Sequence, residues 1–253
     1  MDEGKSYTLK LTGTTKKPKW TTSNKKVATV SSSGVVKGIA PGTATITATV
    51  SSKKYTCKVT VKEVFNSKKA IESLSATDYK VKNGIIQIVK NNYSFPMILD
   101  AKCVFYDEDN LMIGVAPASI LNFEKGKEAV LIFYAPTDSN YNPIPYDHYK
   151  IIYSAESTDA ISNIKDIKIS SNKGTFSILL EVINDGDLSS EFTQIGILFY
   201  KDGEIIDYSY RYADVNEPGS VDYLEFYFPY ENNKYIEIDD YAIYVNYSYG
   251  YNK

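Results

Sequence analysis

His148 is the single histidine of the chain. One imidazole cannot build a two-histidine metal site, and no G-x-S-x-G turn accompanies it, so neither a zinc centre nor a Ser-His or Cys-His nucleophile is indicated. Carboxylates are plentiful. Glycoside hydrolysis, however, needs two of them about 5–9.5 Å apart across a cleft, and the sequence singles out no such pair. The cluster Asp107-Glu108-Asp109 could attract calcium, but it lacks the ligand spacing of a helix–loop–helix calcium loop and reads as a hairpin tip. Glu124 and Glu217 stand just before Gly126 and Gly219, which suggests turn chemistry. No phosphate loop or dinucleotide fingerprint occurs. The expectation is a chain with no catalytic residues, no metal and no cofactor.

Tyrosine is the side chain in excess, with 23 Tyr against 10 Phe and 1 Trp, and twelve of the tyrosines fall between residues 206 and 253. Tyr208, Tyr210 and Tyr212 recur at every second position, which places them on one face of a strand. Aligned against the first of two repeats described below, they stand where Gly114, Ala116 and Ala118 stand. Nearby, Leu224, Phe226 and Phe228 form an apolar parity, so Tyr223 and Tyr227 fall on the opposite, outward face. Exposed tyrosines can stack on sugar rings or meet a protein partner. They can equally stabilise a sheet through cross-strand pairs, or pack one domain on another. These five tyrosines are the candidate ligand-binding residues.

The elements that must position them are strands. Thr43–Val50 alternates strictly, with Ala44, Ile46, Ala48 and Val50 on one parity and threonine on the other. After Ser51-Ser52-Lys53-Lys54 the alternation resumes as Tyr55, Cys57, Val59 and Val61, so the two runs read as a hairpin with Cys57 pointing inward. Cys57 and Cys103 fall in different domains and read as buried thiols rather than a disulfide. Trp20 reads as a core anchor. The block WTTSNKKVATVSSSGVVKGIAPGTATITATV, preceded by GKSYTLKLTG and followed by YTCKVTV, resembles a bacterial immunoglobulin-like group 2 domain over residues 4–62. That family usually has another strand before Gly4, which here is absent or cut off. The resemblance implies a small sandwich of the kind found in tandem on bacterial surface proteins and adhesins, with no catalytic residues.

The rest of the chain repeats itself. Val89-Lys90-Asn91-Asn92 matches Val182-Ile183-Asn184-Asp185, Phe105-Tyr106-Asp107 matches Phe199-Tyr200-Lys201, and Leu131–Pro136 matches Leu224–Pro229, at spacings of 93 or 94 positions. The Asn turn, the Phe-Tyr strand end, the Glu-x-Gly turn and a late Asp-x-Tyr strand resemble FxLYD-type sandwich domains. The expected architecture is all-β: three tandem small sandwiches over 1–63, 68–157 and 160–253, with at most a turn or two of helix near Lys68–Leu74. Short linkers at Lys62–Lys69 and Ser154–Asn163 suggest a semi-extended rod.

The formal net charge is −3 with no basic cluster, so nucleic acid is not an expected partner. No apolar run approaches the roughly 18 residues of a membrane span. Met1-Asp2-Glu3 carries no secretory signal, which is expected to have been removed. The sequence thus reads as a monomeric, non-enzymatic bacterial surface or secreted protein that spaces, adheres and contacts a protein or glycan. The alternative reading is a carbohydrate-binding accessory segment of a larger secreted enzyme.

Overall fold

A computed structural model describes residues 1–250. The chain is nearly all β and divides into two compact units, Met1–Phe65 and Asn66–Lys253. In the first unit, strands β1 (Ser6–Thr8), β2 (Lys19–Thr22), β3 (Ala28–Val30), β4 (Val35–Gly38), β5 (Gly42–Val50) and β6 (Lys53–Val61) form two antiparallel sheets, ordered β1-β4-β3 and β2-β5-β6. Ala44 and Ile46 of β5 meet Ala28, Val36 and Val61 in the core, with Trp20 packed at its margin. The β5–β6 turn is tighter than the sequence suggests. Only Ser51 and Ser52 lie in it, both at positive φ (46° and 67°), as a two-residue turn matched to strand twist demands. Lys53 and Lys54 already pair with Val50 and Thr49.

The inward parity of β6 is as read, but Cys57 is exposed, not buried. It pairs with buried Ile46. Yet β6 is the edge strand of its sheet, and the small facing sheet, built of strands of three and four residues, covers the central β5 without extending over this neighbour. Only Val61, at the far end of the strand, is fully covered. Residues 1–3 run along that same end: Asp2 bridges Lys62 in parallel, and the Glu3 N–H donates to the Lys62 carbonyl.

The second unit opens with a short helix, α1 (Ser67–Glu72), capped by Asn66, whose Oδ1 accepts from the Lys69 N–H. Two sandwiches follow. The first comprises β7 (Leu74–Val81), β8 (Gly84–Asn91), β9 (Met97–Tyr106), β10 (Met112–Phe123), β11 (Glu128–Tyr134) and β12 (His148–Ser157), in sheets β11-β8-β7 and β10-β9-β12. The other begins with β13 (Ile161–Ser162). It continues through β14 (Ile167–Lys173), β15 (Ser177–Asn184), β16 (Phe192–Lys201), β17 (Glu204–Ala213) and β18 (Val221–Tyr227), then a small hairpin, β19 (Tyr230–Glu231) with β20 (Lys234–Tyr235), and finally β21 (Asp240–Gly250). Its sheets are β14-β15-β18 and β13-β21-β16-β17.

The strand order of the two sandwiches is the same, and so is one interior detail. Asn91 is fully buried, and its Nδ2 donates to the carbonyls of Phe95 and Phe123; Asn184 does the same to Leu188 and Val215. The N–H groups of Gly126 and Gly219 donate to the Asn91 and Asn184 carbonyls respectively. The Asn turn and the Glu-x-Gly turn therefore close on each other in both sandwiches.

These two sandwiches are not strung out as a rod. The outer face of β7-β8-β11, with Ile86, Val130 and Ile132, packs against the outer face of β16-β17-β21, with Leu198, Tyr208 and Tyr244. Burying these apolar side chains gives the face-to-face arrangement a driving force that a short linker does not oppose. The stack stops at two. On β15 and β18 the positions corresponding to Ile88 and Ile132 are Glu181 and Glu225, and the outward carboxylates leave that face wet.

Candidate functional site

Tyr208, Tyr210 and Tyr212 do share one face of β17, opposite Leu198, Gly196 and Gln194 of β16. The rings are spaced 6.3 Å and 6.0 Å apart, the second pair at an interplanar angle of 88°. Their environments differ. Tyr208 is 4 % exposed and belongs to the interface between the sandwiches, whereas Tyr210 and Tyr212 are 42 % and 53 % exposed. Tyr208 thus serves packing and shows only an edge at the floor of the space beside it. Gly196 makes the space: a Cβ there would lie 2.2–2.6 Å from Tyr208 ring and hydroxyl atoms.

A β-bulge holds this arrangement. The pairing of β16 with β21 skips a residue between Gln194↔Tyr247 and Ile195↔Val245, and Asn246 is the extra residue. A bulge re-aims a side chain, and here the buried Asn246 amide meets β11 of the neighbouring sandwich. Its Oδ1 accepts from the Val130 N–H at 2.9 Å and its Nδ2 donates to the Val130 carbonyl at 3.2 Å. Asn246 Nδ2 also lies 2.7 Å from both Gln194 Oε1 and Tyr208 Oη. Gln194 Nε2 donates in turn to Tyr212 Oη and Tyr247 Oη. The side-chain amide pairs with an edge strand much as a peptide would, and fixes the tyrosines beside it.

Above this network the two sandwiches leave an open groove of about 420 Å³. Pro117, Ser119 and Tyr134 of the first sandwich face Tyr210, Tyr212 and Tyr247 of the other, and among the described residues no Lys, Arg, His, Asp or Glu lines it. The hydroxyls of Tyr134 and Tyr210 make no hydrogen bond among the described residues. Burial, followed by the nearby Asp207 and Tyr210, raises the Tyr134 hydroxyl pKa. Burial likewise raises those of Tyr208 and Tyr247. The groove therefore offers protonated phenols, which donate, and flat ring faces.

The five tyrosines expected from sequence do not converge. Tyr223 and Tyr227 are exposed on β18, in the other sheet of the same sandwich. Their hydroxyls donate to Glu181 and Glu225. The aligned counterparts also shift. Phe105 pairs with Gly114, but Phe199 pairs with Asp207. Val115, Pro117 and Ser119 therefore correspond to the three tyrosines, not Gly114, Ala116 and Ala118. A hairpin loop of different length moves the register by one residue and exchanges the faces. Sequence reasoning missed Tyr134, Tyr247 and Gln194. Tyr134 carried a signal, since it lies on the outward parity of β11 with Val130 and Ile132.

In the first unit, Gly34 at φ +84° lies against the Trp20 ring and the Leu9 carbonyl, where a Cβ would come within 2.5 Å of that oxygen. This tight turn sits inside the Trp20–Gly38 block that carried the family resemblance. Residues 3–61 match the family of bacterial Ig-like domains (group 2). No curated protein matches the chain. Domains of this family are typical of bacterial surface proteins. No helix among the described residues is long and apolar enough to cross a membrane.

The remaining polar candidates are accounted for locally. His148 Nδ1 lies 2.9 Å from Asp147 Oδ2, and its ring stacks on Tyr106. Asp107 Oδ1 accepts from the N–H groups of Asp109 and Leu111, closing its hairpin. Cys103 is buried, and burial, with nearby Asp78, pushes its thiol pKa up to about 12. Among the described residues, no three His, Cys, Asp or Glu side chains gather in a metal-binding arrangement.

Proposed function

We propose that this chain is a non-catalytic, extracellular bacterial module for surface display and adhesion, which contacts its partner through the tyrosine-lined groove. The observation that carries this reading is an open, uncharged groove walled by tyrosines from two sandwiches and braced beneath by a buried amide network. Such a site binds and orients; it presents no nucleophile or base. The Ig-like segment suits the role, being similar to domains typical of bacterial surface proteins. The two sandwiches of the second unit are read as FxLYD-like modules. The shared strand order and the matching Asn91 and Asn184 contacts support that reading.

The accessory role in a larger secreted enzyme remains the second reading, because tyrosine rings in a groove are also what a sugar ring would stack on. The right angle between Tyr210 and Tyr212 favours a single chain over a flat crystalline surface. The test is adhesion of the labelled protein to arrays of cell-surface proteins and glycans. Tyr210→Ala/Tyr212→Ala is expected to abolish binding, while Tyr223→Ala leaves it intact. Equal binding by the unaltered chain and both variants would remove the groove from the function.

A further inference from the structure

We infer that the groove takes a proline-rich segment in the polyproline II conformation. This rests on the groove being the contact site and goes on to name its ligand class. Spacing supports it first. Polyproline II has three residues per turn and advances about 3.1 Å per residue, so one face recurs at about 9.3 Å while residues i and i+2 stand on two neighbouring edges about 6.2 Å apart along the axis. The exposed rings of Tyr210 and Tyr212 stand 6.0 Å apart. The perpendicular pair forms a notch with two walls, into which a pyrrolidine ring can wedge. Aromatic-lined grooves bind this conformation because the ligand is already extended and loses little entropy.

Charge and hydrogen bonding point the same way. With no ionisable group other than tyrosine among the described residues of the lining, the groove complements a neutral chain. A proline-rich chain has carbonyls and few N–H groups, so it needs donors only. The groove supplies these: the Tyr134 and Tyr210 hydroxyls, one on each wall, have no hydrogen-bond partner among the described residues. A pyranose presents hydroxyls that both donate and accept, which phenols also satisfy, so a neutral oligosaccharide is the competing ligand in the test. The one side-chain amide lining the groove, Gln194, already commits Nε2 to Tyr212 and Tyr247 and Oε1 to Asn246. Addition of an extended strand along β10 is disfavoured by Pro117, which has no N–H to offer. The groove is also continuous with the sandwich interface through Tyr208 and Val130, which line both, so its walls are held in place before a ligand arrives.

The experiment titrates the full chain with a capped decaproline peptide and, separately, with neutral oligosaccharides, following tyrosine NMR signals and heat. Decaproline is expected to bind equally at low and high salt. Tyr210→Ala should weaken it about tenfold or more, and the hydroxyl-only variants Tyr134→Phe and Tyr210→Phe should weaken it several-fold, all with unchanged circular dichroism. If oligosaccharide binds instead, and Tyr210→Ala abolishes that, the proline inference is overturned while the groove reading stands. Decaproline binding that survives Tyr210→Ala overturns the inference. If no probe binds in a Tyr210-dependent way, both fall.

Discussion

An added methyl group at Gly196 would stand 2.2 Å from the Tyr208 hydroxyl. Gly196→Ala is therefore expected to lower stability by about 1–3 kcal/mol, as overpacking does, read as a shift of the denaturant midpoint. Asn246→Ala leaves the Val130 N–H and carbonyl without their side-chain partner and is expected to cost about 2 kcal/mol or more. Asn122 behaves in the opposite sense. It is fully buried with neither amide atom partnered among the described residues, so Asn122→Leu, similar in shape, is expected to be neutral or stabilising by about 1 kcal/mol. The tyrosines set an alkaline limit. Burial, then a hydrogen bond to Asp78, raises the Tyr149 hydroxyl pKa to about 12. A folded pKa above the unfolded value near 10 gives a contribution that is whole below about pH 10 and lost as pH rises through the folded value. Unfolding free energies are expected to be unaffected by this group below about pH 10 and to fall as pH rises from there to about 12. At this scale the parity of Tyr208, Tyr210 and Tyr212 was legible in the sequence. The closeness of Gly196 to Tyr208 was not, because it depends on register between strands.

Strand alternation carried most of the reading of elements. It placed the β5–β6 hairpin and the outward setting of Tyr223 and Tyr227. It misplaced Cys57, because alternation tells which face a residue shares and not whether another sheet lies over that face. It could not show the bulge at Asn246 either, since one skipped residue in β21 is visible only against β16. The contrast between the two outer faces makes a prediction at this scale. Glu181→Ile with Glu225→Ile would give β15 and β18 the apolar pattern of β8 and β11. A face matching one already docked, left open, favours head-to-tail growth. Sedimentation of that double variant is expected to show concentration-dependent association where the parent chain shows none.

For the molecule as a whole, composition and turn spacing announced an all-β chain of small sandwiches. Pairwise docking in the second unit escaped because the same alternation fits a strand exposed to water and a strand covered by a neighbour. Residues 66–157 alone would expose Ile86, Val130 and Ile132, and are expected to melt earlier than 66–253 in calorimetry. Only residues 158–160 lie between β12 and β13. A tether that short holds the two faces at a local concentration on the order of millimolar, so the interface need not be strong by the standards of freely diffusing partners. Supplied as separate polypeptides at micromolar concentration, the two sandwiches would drift apart, and the groove would exist only for the fraction of time they met.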